Sequence, residues 1–101
     1  MFIVRSISVA KNGRRDEAAT VMKEMAAAIT EDLGFPTQRV MTASVGPSDN
    51  TIVVEGEFDS LAEFDKSLDA MNSWSGMQKY GPKFGELFID GSHRFEIYRV
   101  V

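Results

Sequence analysis

Cysteine is absent from the 101-residue sequence, and several other signals are missing with it. Without cysteine the chain forms no disulfide and no thiolate metal site. No apolar run reaches the roughly 18 residues of a membrane-spanning helix, and the first residues lack the apolar core of a signal peptide. Arg14 and Arg15 form the only basic doublet in a chain of net charge −4, so nucleic-acid binding has little support. We therefore expect a soluble, cytoplasmic protein that binds neither nucleic acid nor membranes.

Motifs for catalysis and cofactor binding are missing as well. The sequence has no Gly-rich phosphate loop, no metal-ligand spacing and no pair of carboxylates in a helical motif. Its single histidine, His93, falls in a predicted turn, where a surface or capping role competes with a functional one. We expect no metal and no cofactor, and no catalytic residue can be assigned.

Hydrophobic periodicity predicts the order β-α-β-β-α-β. The four strands are expected over residues 2–10, 39–45, 51–58 and 94–101, where β-branched and alternating residues are concentrated. The first helix is expected over residues 14–33. Asn12 or Gly13 can cap its start, and Gly34 supplies a left-handed ending.

The clearest local signal is the strand and helical region over residues 51–88. Ser60 and Glu63 match a capping box at the start of the helix. Apolar residues follow at helical spacing, break off over residues 72–76 and then resume. Pro82 lies inside the second stripe and predicts a kink there, or a restart of the helix.

This order is typical of the α+β ferredoxin-like fold, βαββαβ, with the second α split in two. Right-handed crossovers place both helical regions on one face of a four-stranded antiparallel sheet. The other face is too apolar for solvent. Its apolar residues are Ile3, Ile7, Val9, Val53, Tyr98 and Val100. We expect residues 1–101 to form one domain that packs this face against a second copy, as a sheet-to-sheet homodimer.

Two stretches carry a family resemblance. V-V-E-G-E-F-D-S-L-A-E-F-D, from Val53 to Asp65, and F-E-I-Y-R-V-V, from Phe95 to Val101, resemble the NIPSNAP-like and antibiotic-biosynthesis-monooxygenase-like members of the dimeric α/β-barrel superfamily. The resemblance implies two ferredoxin-like chains packed sheet to sheet. The superfamily includes cofactor-independent monooxygenases, haem-degrading monooxygenases, isomerases and members without an assigned activity. Haem-binding relatives carry a histidine after the third strand, where this chain has Met77 and Tyr80, and this difference argues against haem.

Two sets of residues are candidates for function. The first is a polar network on the predicted dimer face: Arg5, Glu55, Glu57 and Glu96. It either fixes the register of the dimer or anchors a ligand, and we expect Arg5 to pair with at least one carboxylate. The second set surrounds the break between the helical pieces and either lines a ligand pocket or plugs the core: Trp74, Met77, Tyr80, Tyr98 and Met22. The hydroxyls of Ser6, Ser8, Thr42 and Ser44 on the predicted strands either line a polar patch in a pocket or satisfy local packing.

Two functions of different classes remain open. The first is an uncharacterised homodimeric protein that binds a small apolar ligand between helices and sheet without catalysis. It is slightly favoured because no cluster of ionisable residues falls in the predicted pocket. The alternative is a cofactor-independent monooxygenase or isomerase acting on a small organic substrate. An open cavity of a few hundred Å³ with two or more polar groups favours the enzyme.

Overall fold

The computed structural model describes all 101 residues and contains one four-stranded sheet and three helices. In chain order these are β1 (Phe2–Val9), α1 (Arg15–Leu33), β2 (Arg39–Thr42), β3 (Thr51–Phe58), α2 (Leu61–Asn72), α3 (Met77–Leu87) and β4 (Arg94–Arg99). All neighbouring strands are antiparallel, in the order β2-β3-β1-β4. The predicted α+β ferredoxin-like fold is confirmed, including the split of the second helix. None of the three helices combines the length and apolar character needed to cross a lipid bilayer.

The strand register sorts the side chains onto two faces. In β1, Val4 pairs with Gly56 and Ser6 pairs with Val54, and these positions face the helices. Arg5 lies between Glu55 of β3 and a glutamate of β4. Because successive residues of a strand point to opposite faces, Arg5 and its neighbours occupy the face away from the helices. We call it the open face.

The strands end earlier than their sequence patterns predict. β2 stops at Thr42 instead of residue 45, because the chain turns away into a loop where Val45 is exposed and Gly46 has a φ of +101°. β4 stops at Arg99. β1 stops at Val9, and the next residue, Ala10, forms an isolated bridge to Phe88.

The ends of α1 confirm one predicted cap and correct the other. Gly34 has a φ of +72° and its N–H donates to the Thr30 carbonyl, so the glycine ending is confirmed. The N-cap is Arg14, whose side chain makes no capping hydrogen bond. The predicted capping by Asn12 or Gly13 is therefore wrong, because Gly13 takes a φ of +78° in the turn that precedes the helix.

The second helical region also differs from its prediction at one point. Ser60 caps α2 as expected, since its Oγ accepts from the Glu63 N–H at 3.1 Å. Pro82 lies inside α3 instead of restarting it. The helix is already established before the proline, because backbone hydrogen bonds link residues 74–80. Pro82 then costs α3 one internal hydrogen bond, since proline has no N–H to donate.

Trp74 anchors the break between α2 and α3 in the core. Its indole Nε1 donates to an Asp32 carboxylate oxygen at 2.9 Å, and its ring stacks on Tyr80 with centroids 5.8 Å apart. The ring also lies so close to Gly76 that a Cβ there would overlap it. The break is thereby fixed against the end of α1, away from the sheet residues described next.

Candidate functional site

A cavity of about 470 Å³ lies between the helices and the sheet. Its walls are mainly apolar. β1, β3 and β4 contribute Val4, Val54, Phe58 and Phe95, α1 contributes Met22, Met25, Ala26 and Ile29, and α2 and α3 contribute Phe64, Leu68, Met71 and Phe84. A volume of this size suits a small organic molecule, and the apolar lining suits one that is largely apolar.

Polar groups are few in the cavity. Gln38 lies against Gly56 of β3 and Ser67 donates to the Phe64 carbonyl of its own helix, and the other polar groups cluster towards one end of β1. Ser6 and Ser8 point into it from successive helix-facing positions of the strand. The Ser6 Oγ lies 2.9 Å from His93 Nε2, which is hydrogen-bond distance. Ser8 makes no hydrogen bond within the chain, so its hydroxyl remains available to a ligand.

The turn before β4 sets the position of His93. The Ser92 Oγ donates to the Ile89 carbonyl at 2.6 Å and accepts from the Val9 N–H at 3.1 Å. Gly91 has a φ of +75°, a backbone conformation that favours glycine. These contacts tie the turn to the end of β1, so the imidazole is held beside Ser6 by ordered backbone on both sides.

Aromatic rings continue from His93 along the cavity wall. The imidazole meets Phe95 edge to face at 4.7 Å, Phe95 meets Phe64 at 5.3 Å, and Phe64 meets Phe58 at 5.4 Å. Edge-to-face contacts of this kind are favourable beyond the area they bury. They restrict the orientation of the imidazole and give this end of the cavity an aromatic wall.

The cavity contains no countercharge for an anionic ligand. No lysine or arginine lines it, and its only ionisable lining side chains are His93 and Asp90, the latter exposed in the turn. Desolvation by the surrounding protein lowers the pKa of His93 below its ordinary value. This desolvation favours the uncharged imidazole, which offers a ligand a hydrogen-bond partner without a charge.

Of the pocket residues proposed from the sequence, only Met22 lines this cavity. Trp74 and Tyr80 are buried in the core cluster and Met77 packs against it, because the indole bonds to α1 instead of facing the sheet. Tyr98 lies on the open face, where its hydroxyl donates to Glu96 at 2.8 Å. The cavity lies along β1 and the start of β4, and not at the helix break that the sequence suggested.

The structure joins two of the four residues proposed for the polar network on the open face, Arg5 and Glu55. The predicted pairing of Arg5 is confirmed, since its Nε donates to a Glu55 carboxylate oxygen at 2.9 Å. Arg39 donates to the other oxygen at 2.6 Å. The bond from Arg5, and then that from Arg39, lower the pKa of the buried Glu55 carboxyl. Glu57 lies on the same face without an ion pair.

The open-face charges form one row across the sheet. The register aligns Arg39, Glu55, Arg5 and Glu96 on β2, β3, β1 and β4. Glu96 accepts from Tyr98 and Arg94, and these bonds lower the pKa of its carboxyl. The charges alternate in sign along the row, which we call the charged row.

The sequence assigned no role to His93 at this site. One signal was present, since Ser6 and Ser8 share the helix-facing side of β1. The proximity of His93 to Ser6 gave no signal in the sequence, because it depends on β4 pairing next to β1 and on the path of the turn over residues 89–92. A turn path of this kind is not encoded in hydrophobic periodicity.

The chain matches no protein-family model and no curated protein. Solved structures do match it in fold. An uncharacterised NIPSNAP domain protein from Burkholderia xenovorans is 11% identical, with a TM-score of 0.80 over 100% of this chain and 95% of that one. A NIPSNAP family protein of unknown function from Agrobacterium tumefaciens is 20% identical, with a TM-score of 0.80 over 100% and 88%.

A third structure is similar over the same length. It is a protein from Deinococcus radiodurans assigned provisionally as an antibiotic biosynthesis monooxygenase, 14% identical, with a TM-score of 0.70 over 100% of this chain and 93% of that one. Identities this low carry the fold and not the activity. The chain therefore has the fold of the NIPSNAP and antibiotic-biosynthesis-monooxygenase-like structures, as the resemblance of its sequence indicated.

Proposed function

We propose that the protein binds a small, neutral and largely apolar organic molecule in the cavity between helices and sheet. The observation that carries this proposal is the cavity of about 470 Å³, whose walls are mostly apolar and whose few polar groups include the hydrogen-bonded pair Ser6 and His93. Ligand sites commonly combine an apolar wall with a small number of placed polar groups. A charged ligand is disfavoured because burying an unpaired charge is costly.

Filling the cavity tests this proposal directly. Ala26 is buried on α1 and lines the cavity, whereas its neighbour Ala27 is exposed and does not. We expect the neutral fluorescent probe N-phenyl-1-naphthylamine to bind the native protein. Ala26→Phe should weaken this binding at least tenfold, because the new ring occupies the space of the probe, and Ala27→Phe should leave it unchanged. Equal binding by both variants, or no binding to the native protein, would contradict the proposal.

An enzyme remains the second candidate, a cofactor-independent monooxygenase or isomerase. It is favoured by the presence of more than two polar groups in the cavity, among them the neutral imidazole of His93. Mass spectrometry of small molecules extracted from the purified protein, before and after incubation in aerated buffer, separates the candidates. A binding protein returns the same compound, an oxygenase returns a heavier one, and an isomerase returns one of equal mass with a different retention time.

The proposal includes a homodimer formed through the open face. Apolar residues flank the charged row on both sides: Met41, Val53 and Ile7 on one side, and Ile3 and Tyr98 on the other. Tyr98 is 48% exposed in the single chain. Ile7 is already buried in the single chain, and a second copy would remove the other, partly exposed apolar groups from water, which supports association. The cytoplasmic location expected from the sequence stays a prediction.

The charged row also supports one orientation of that dimer. If a two-fold axis runs parallel to the strands between β3 and β1, the row of the second copy is reversed across the sheet. Arg39 then faces Glu96 of the second copy, and Glu55 faces Arg5, so opposite charges meet throughout. An axis along the row would bring like charges together. Like-charge contacts at an interface are costly, so the first arrangement is the one that the charges favour.

A further inference from the structure

The Ser6–His93 pair is the most specific polar feature of the cavity. Its two atoms come from different elements, β1 and the residue before β4, and lie 2.9 Å apart. No charged side chain forms an ion pair with His93, and the pair is a hydrogen-bonded unit at the exposed edge of a largely apolar cavity. A structural hydrogen bond alone would not need to face a cavity.

The hydrogen-bonding capacity of the pair exceeds what the chain uses. A serine hydroxyl donates one hydrogen bond and accepts up to two. Whichever tautomer His93 adopts, its contact with Ser6 Oγ uses only one of the hydrogen bonds that this hydroxyl can make. The Ser6 oxygen thus retains a free position on the cavity side. Ser8, two residues along the same strand face, adds a second hydroxyl without a partner in the chain.

From this arrangement we propose that Ser6 and His93 form a binding subsite for the hydroxyl group of a neutral alcohol, whose apolar remainder fills the cavity. The hydroxyl of the ligand bonds to Ser6 Oγ, and the imidazole orients Ser6 for that bond. Phe95 fixes the imidazole in turn, by its edge-to-face contact at 4.7 Å. This inference rests on the proposed function and names the class of molecule that the cavity takes.

Chemistry at the subsite also excludes other ligands. A carboxylate or phosphate finds no cation in the cavity. A pure hydrocarbon displaces water from the Ser8 hydroxyl, which has no partner in the chain, and polar groups buried without a partner are costly. A site built to bond a hydroxyl favours the alcohol over the analogue that lacks it. A neutral alcohol matches both parts of the cavity, because its apolar remainder fits the apolar wall and its hydroxyl bonds to the subsite.

A matched pair of probes tests the inference. 1-Naphthalenemethanol and 1-ethylnaphthalene have nearly the same shape and differ by a hydroxyl in place of a methyl group. We expect Ser6→Ala and His93→Phe to weaken binding of the alcohol by about tenfold, the worth of roughly one hydrogen bond. Both variants should leave binding of 1-ethylnaphthalene within about twofold. Ser44→Ala, an exposed serine outside the cavity, should change neither.

The outcomes separate this inference from the proposed function. Both probes should shift the imidazole NMR signals of His93, the only histidine, through the ring current of naphthalene, and the alcohol should add a further shift that Ser6→Ala removes. If both probes bind and both variants weaken them equally, or weaken neither, the alcohol subsite is overturned and the cavity as a binding site stands. If neither probe binds the native protein, both proposals fall.

Discussion

At the scale of single residues, His93 has the most telling surroundings in the chain. It lies at the mouth of the cavity, exposed on one side and packed against Phe95 on the other. No ion pair stabilises its charged form. Desolvation is the cause that lowers the pKa of the imidazole, and the sign of this shift has a measurable consequence.

We predict that His93 titrates below the value of about 6.5 typical of an unperturbed histidine. The folded protein then binds fewer protons than the unfolded chain between the two pKa values. The unfolding free energy should therefore decline as the pH falls below about 6.5 and level off once the pH is below the folded pKa. NMR titration of the single imidazole measures the midpoint. His93→Gln should remove this part of the pH dependence, and a midpoint at or above 6.5 in the native protein would contradict the prediction.

Residue-level sequence arguments succeeded where strand parity alone decided the answer. Parity placed Arg5, Glu55 and Glu96 on one face, and the structure joins Arg5 to Glu55. Parity does not give the register between strands, so the choice of Glu55 as partner was open. For Trp74 the sequence left a pocket wall and a core plug open, and the structure places it in the core. Its contact with Asp32 joins residues 42 positions apart, and only tertiary packing determines it.

At the scale of elements, α2 is the least buried of the three helices. Its only buried residue is Ser67, whereas α1 buries five residues. One side of α2 forms part of the cavity wall, with Phe64, Leu68 and Met71 at helical spacing. Helical periodicity therefore predicted α2 correctly, although its apolar stripe borders a cavity and not a filled core. Few buried contacts make an element a site of local opening.

We predict that the backbone amides of α2 exchange with solvent faster than those of α1. Hydrogen exchange followed by mass spectrometry or NMR measures the difference. Binding of N-phenyl-1-naphthylamine should slow exchange in α2, because the probe packs against Phe64, Leu68 and Met71. Ala26→Phe serves as the control, since it should prevent the slowing by the probe. Equal protection of the two helices in the free protein would contradict the loose packing of α2.

At the scale of the whole molecule, the sheet has two faces with different roles. The helix face encloses the cavity, and the open face presents the charged row between apolar neighbours. The element order predicted from sequence that helices cover one face of the sheet. The number of apolar residues on the open face suggested that this face contacts a second copy. The position of the cavity was not predictable in the same way. It depends on how far the three helices stand from the sheet, and side-chain packing sets that distance.

We predict that the protein is a homodimer through the open face, with a mass near twice the chain mass of 11.2 kDa in light scattering at low micromolar concentration. Tyr98 and Ile97 provide a matched pair, because they are neighbours in β4 on opposite faces and are similarly exposed, 48% and 41%. Tyr98→Glu should give a monomer, since a carboxylate buried at the interface without a partner is costly. Ile97→Glu should leave the mass unchanged.

The two variants also distinguish where the contact lies. Each places the same charge at a half-exposed position of the edge strand β4, and Tyr98→Glu also removes the hydrogen bond to Glu96. Circular dichroism of each variant verifies that the fold is retained. A native monomer would contradict the dimer. Dissociation by Ile97→Glu with a dimeric Tyr98→Glu would place the interface on the helix face, where it would restrict the mouth of the cavity beside His93 and Phe95.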